Sequence, residues 1–365
     1  MTPGALDHLN LDLKEYGWLF FDALSDGCAG AARDGLVRKL SGTLRGGPRE
    51  ALGRKDVLPF QGWLEGVHVE LVHATALVLG GKGLLTPRLD RLVRRVAGQY
   101  RYGRDPACDP GSTGNTCLDD QSQAAVAYAW IGAYEALAGR TQSARPRLQR
   151  AEALLRESFA AANFLCASPG SDALPAPCSA VESLPLALDE GRVAVVVFNH
   201  GFENMGYGVG LMTSFSSAAL ALELAGRPVS LSPAEQALLR SVLVRGRRAA
   251  TPDGSAFLPD ACYRVEGGRL LAGRECADLG YRPAMFPVRA FYERKVGLPP
   301  GEGFGYDRFD ASLFDADDPF LHLGRAAVYG HLGASWWRPL GEGGGRPALS
   351  ARVAPSPAAP RRAQP

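Results

Sequence analysis

The sequence predicts an all-α fold in which helical hairpins are arranged as an (α/α) toroid or incomplete barrel carrying long stapled loops. Three observations predict it. Apolar residues recur with the 3.6-residue helical period over most of the 365-residue chain. Three of the periodic segments end alike, at 76-ALVLGGKG-83, 133-AYEALAGR-140 and 220-LALELAGR-227. The connections between units range from a few residues to about 40 (164–203), too uneven for an open solenoid of short regular repeats.

In chain order, the periodicity predicts helices at 6–24, 30–44, 62–80, 86–100, 119–138, 144–163, 204–226, 232–248, 278–293 and 318–335. The shared endings place glycine just past a helix, where a left-handed residue costs little, with a basic residue nearby. Each ending is followed by a second helix, TPRLDRLVRRV, SARPRLQRAEALL or SPAEQALLRSVL, which Ser or Thr can cap. The unit is a helical hairpin, irregularly repeated. The β-branched run VAVVVF at 193–198 reads as a short strand under the cleft. Residues 1–339 are expected to form a single domain, and 340–365, rich in Pro, Ala, Gly and Arg, a disordered tail.

Composition excludes some partners. A hydrophobic content of 46% and a charged content of 21% belong to a folded chain. The net charge of +2 makes no electrostatic case for nucleic acid or an anionic membrane. No apolar run reaches the roughly 20 residues of a membrane span. Cysteines pair by short spacing around Pro/Gly/Ser-rich or polar loops: Cys108 with Cys117, Cys166 with Cys178, and Cys262 with Cys276, leaving Cys28 over. Three such stapled loops imply an oxidising compartment and a secreted or periplasmic protein. The opening MTPGALDHLNLDLKEYGW lacks a basic start and a compact apolar core, so the expectation is a mature chain with its export segment removed. No metal-ligand spacing and no cofactor fingerprint stands out; none is expected. The sequence sets no oligomeric state.

Chemistry concentrates in 193-VAVVVFNHGFENMGYG-208. Asn199 and His200 end the buried-looking run, either capping a turn or facing a substrate. Glycines follow, which let a ligand approach closely. Asn204 and Tyr207 share a helical face with the end of that run. A second feature is 252-PDGSAFLPDACYR-264, with its Asp-Gly turn signal, and a third is 279-LGYRPAMFPVRAFYE-293, with Tyr281 and Arg282 at a helix entrance.

In this order, FNHG at 198–201, LALELAG at 220–226, PDGSAFLPDA at 252–261 and GYRPAMF at 280–286 resemble the α/α-toroid polysaccharide lyases of the alginate-lyase type. The likeness spans about 95 residues, 198–292. It implies β-elimination on a polysaccharide or oligosaccharide that contains uronates, with Asn199, His200, Tyr281 and Arg264 as catalytic residues. Arg264 has Arg274 and Arg282 as rivals, and Tyr263 rivals Tyr281, because the segment between Cys262 and Cys276 displaces every later residue of the pattern. Asn204, Tyr207 and Arg282 are the expected substrate contacts, with Asp119 and Asp120. Donors on the uronate carboxylate would stabilise the enolate-like charge that develops as the C5 proton leaves. An imidazole titrates near neutral pH and can accept that proton.

The rival constellation is 117-CLDDQSQAAVAYAWIGAYEAL-137. Asp119 and Asp120 open a helix, where carboxylates ordinarily offset the helix dipole. Their placement is similar to that in α-1,6-mannanase-type toroids, although Gln121, Ser122 and Gln123 stand where that type has aromatics. A glycosidase needs two carboxyls about 5–9.5 Å apart. A third possibility is a non-catalytic helical-repeat module that binds glycan or a protein partner. Trp336 and Trp337 read as core, and 306-YDRFDASLFDADD-318 as a solvated acidic loop.

Overall fold

A computed structural model describes helical positions within 66–80, then residues 85–104, 108, 117–159, 205–249, 258 and 295–297, together with the strand residues 164–167, 176–177, 194–199, 202–203, 262–266 and 269–274. The helices are α1 (described positions within 66–80), α2 (Pro87–Gln99), α3 (Leu118–Leu137), α4 (Thr141–Phe159), α5 (Met205–Leu224) and α6 (Pro233–Ala249). Each falls where the periodicity predicts one. The helices expected at 6–24, 30–44, 278–293 and 318–335, and the tail, lie outside the described residues.

Two of the three repeated endings form one structural unit; the close of the first, at 81–83, lies outside the described residues. Gly139 after α3 has φ 75° and Gly226 after α5 has φ 72°, the left-handed conformation glycine adopts readily. Gly139 N–H donates to Ala136 O at 3.0 Å and Arg140 N–H to Glu135 O at 2.8 Å. The second hairpin repeats both bonds, from Gly226 to Glu223 O and from Arg227 to Leu222 O, each at 2.9 Å. This is one Schellman motif used twice, and it satisfies carbonyls that a helix end leaves without partners. Beyond it, α6 opens on a capping box: Ser232 N–H donates to Glu235 Oε2 at 2.7 Å, and Glu235 N–H donates back to Ser232 Oγ at 3.2 Å.

Helices α3 and α5 form the heart of the core. Trp130, Tyr134 and Phe215 are fully buried, as is nearly every residue from Ala124 to Tyr134. Helix α3 packs against both α4 and α5, and α5 against α6. Burial around the whole circumference explains why α3 and α5 lack a polar stripe, whereas α2 and α4 each expose a charged face. Gly132 lets α4 close on α3, since a Cβ there would lie 2.5 Å from Leu148 Cδ2.

The described residues are mostly helical, in agreement with the expected class. They also contain a six-stranded antiparallel sheet that the sequence reading anticipates only at VAVVVF. Its strands are β1 (Phe164–Ala167), β2 (Ala176–Pro177), β3 (Ala194–Asn199), β4 (Phe202–Glu203), β5 (Cys262–Glu266) and β6 (Arg269–Arg274), in the order β2-β1-β3-β4-β5-β6. Strand β3 packs on α5 and α6.

Candidate functional site

Strand β3 carries the first predicted site residue to a defined position. Its β-branched residues favour extended backbone, and Asn199 at its end pairs with Phe202 of β4, only a short step further along the chain. Phe202 pairs in turn with Arg264 of β5. Asn199, Phe202 and Arg264 therefore occupy one transverse row on three adjacent strands. At about 4.8 Å per strand the outer two backbones stand roughly 10 Å apart. Arg264 continues the row to Leu271 of β6. In the neighbouring row Phe198 faces Glu203, whose carboxylate is completely buried. A register shift between Cys262 and Tyr263 ends the regular ladder, and Cys262 is disulfide-bonded.

The other residues of this constellation are less fully placed. Tyr207 sits in the first turn of α5, half-buried against the core. His200, Asn204, Tyr281 and Arg282 lie outside the described residues, as do Cys178 and Cys276; Cys166 lies on β1.

The rival acidic pair opens α3. Cys117, in the left-handed conformation at φ 60°, precedes the helix without a side-chain cap and is bonded to Cys108, with Cα atoms 5.0 Å apart. Of the three expected disulfides, this one lies wholly within the described residues. Asp119 and Asp120 occupy the first turn, where carboxylates complement the helix dipole. Asp120 is only 4% exposed. The Tyr102 phenol is pushed well above its usual range, chiefly by burial and then by the Asp120 charge beside it.

A buried polar network joins α1, α3 and α5, and sequence reasoning missed it. Glu70 accepts from Ser217 Oγ at 2.6 Å and from Gln123 Nε2 at 3.0 Å; Trp130 Nε1 donates to Ser217 Oγ at 2.8 Å. All four side chains are at most 4% exposed. One turn along α1, His73 Nδ1 lies 2.7 Å from Val69 O. A carbonyl only accepts, so Nδ1 carries the proton, and buried Nε2 has no hydrogen-bond partner among the described residues. Burial chiefly, with Arg147 and Arg140 adding, lowers the His73 pKa to about 4 against a bond to Val69 that raises it. The ring meets Tyr134 edge-on, with centroids 5.7 Å apart. Tyr134 Oη donates to Asp90 Oδ1 at 2.5 Å, and Arg140 binds both Asp90 and Glu135. The only sequence signal for this network was Glu70 and His73 three residues apart inside 70-ELVHATALVLGG-81, a stretch otherwise read as plain core.

Among the described residues no helix is long and apolar enough to cross a membrane. Comparisons with known protein families, with curated proteins and with solved structures find no match.

Proposed function

We propose that the protein is a polysaccharide lyase that cleaves a uronate-containing glycan by β-elimination, on a helical scaffold closed into a toroid. The observation that carries the reading is the shared row of Asn199 and Arg264. Two residues assigned to the uronate carboxylate from separate motifs stand on adjacent parts of one sheet. The Asn199 amide and the Arg264 guanidinium bind the carboxylate and take up the charge that develops when the C5 proton leaves. His200 accepts that proton, the C4–O bond breaks, and Tyr281 protonates the departing oxygen, leaving a C4–C5 double bond. The Cys108–Cys117 disulfide and the bonded Cys262 support an exported protein.

Incubation with uronate polymers tests the reading through the ultraviolet absorbance of the unsaturated product. The expected result is a rise in absorbance that His200→Ala abolishes without changing thermal unfolding. New reducing ends without that absorbance would replace the lyase with a hydrolase. Glycan binding with no bond cleavage would leave a binding module.

A further inference from the structure

The outer helices carry a charge that the whole-chain balance hides. Residues 85–104 hold six arginines against one acid, and residues 139–157 hold five against two, a net of +8 within a chain whose net charge is +2. Neither stretch contains a lysine. The fold brings the two together. Arg140 Nη2, just before α4, lies 3.2 Å from Asp90 Oδ1 in the first turn of α2, and Arg147 Nη2 donates to Ala97 O near its end at 3.0 Å. The two contacts advance in step along both helices, so α2 and α4 run in the same direction, bridged by these arginine side chains.

In these two stretches Arg91, Arg95, Arg101, Arg104, Arg145 and Arg150 are exposed. The nearby acids do little to neutralise Arg91, Arg95 or Arg145. Asp90 is buried and bound by Arg94, Arg140 and Tyr134, and Glu152 is held by both Nε and Nη2 of Arg227. Glu157 answers Arg150 alone. Among the described residues no carboxylate pairs with Arg91, Arg95 or Arg145. The guanidinium of Arg147 is held below its usual range, mainly by burial, against an opposing effect from Tyr128, with the Arg101 charge adding to the depression.

We infer that the α2–α4 face is a docking surface for an anionic polysaccharide strand, separate from the sheet row; the choice of a uronate polymer rests on the lyase reading. Arginine in place of lysine suits it, because the planar guanidinium fork meets a carboxylate at two points. The compartment argues for glycan over nucleic acid. Arg104 Nη2 donates to Cys108 O at 3.2 Å, so the Cys108–Cys117 disulfide borders the face, and disulfides persist where polyanions are extracellular.

Affinity electrophoresis of the full-length protein through gels containing polygalacturonate, with dextran as the neutral control, tests this. Polygalacturonate should retard the wild type, salt should relieve the retardation, and dextran should have no effect. The triple variant Arg91→Ser, Arg95→Ser, Arg145→Ser should bind about tenfold more weakly. Its thermal midpoint should stay within a degree or two of wild type, because all three side chains are exposed and none is paired with a described carboxylate. Retention equal to wild type in that variant overturns the inference, as does retention by duplex DNA with none by polygalacturonate. Retention without any unsaturated product would defeat the lyase reading and leave the docking surface standing. Turnover with unaltered retention in the variant would defeat the docking surface alone.

Discussion

Acid should destabilise this protein through His73, by an amount set by its burial. The ring is fully enclosed and neutral, with its pKa lowered from 6.5 to about 4. Between those values the unfolded chain binds a proton that the native state refuses, so stability falls as pH drops from 6.5 towards 4 and the loss levels off below. A difference of about 2.5 units at about 1.36 kcal/mol each is worth about 3 kcal/mol. That is a large share of the roughly 5–15 kcal/mol by which domains are stable. Urea unfolding of wild type and His73→Leu across this window isolates the contribution, because every other titrating group is common to both. Leucine cannot titrate, and Val69 O keeps its helical role as an acceptor. The wild type should lose about 3 kcal/mol more than the variant between pH 6.5 and 4. A wild-type-minus-variant difference that stays flat with pH would refute the reasoning.

Further perturbations test the packing and the ion pairs. Glu70→Leu removes the acceptor for the buried Gln123 amide and Ser217 hydroxyl and should cost about 1–3 kcal/mol in chemical denaturation, with Glu70→Gln costing less. Gly132→Ala drives a methyl against Leu148 and should destabilise by about 1–3 kcal/mol, read as a lower thermal midpoint. The two repeat arginines should respond unequally. Arg140→Ala removes the cation shared by Asp90 and Glu135, whose side chains are 9% and 8% exposed, and should cost roughly 2–3 kcal/mol. Arg227→Ala releases the 36%-exposed Glu152 and should cost under about 1 kcal/mol. Equal costs by urea titration would contradict the burial argument.

Legibility in the sequence tracks the range of the signal. The helices were legible because their periodicity and caps are local: AYEALAGR and LALELAGR carry their own stop, and SPAE its own start. The sheet was not, because a two-residue strand such as Phe202–Glu203 has no period to detect and CYRVE or RLLAGR is too short to stand out. The Glu70–Ser217 bond joins residues far apart in sequence, and nothing beside either one announces the other. Asn199 and Arg264 were each singled out from their own motifs, but their common row required a pairing that only the folded backbone contains.

That row has a consequence for the order in which the fold assembles. The α3–α4 and α5–α6 hairpins close over three to eight residues of connection and can form as soon as they are synthesised. Strand β5 can join β4 only after the whole of α5 and α6 has been made, so the ladder holding Arg264 beside Phe202 is the non-local, late-assembling part. A nascent or truncated chain ending before residue 262 would keep its hairpins, look well folded by circular dichroism, and lack the strand that sets Arg264 in the row.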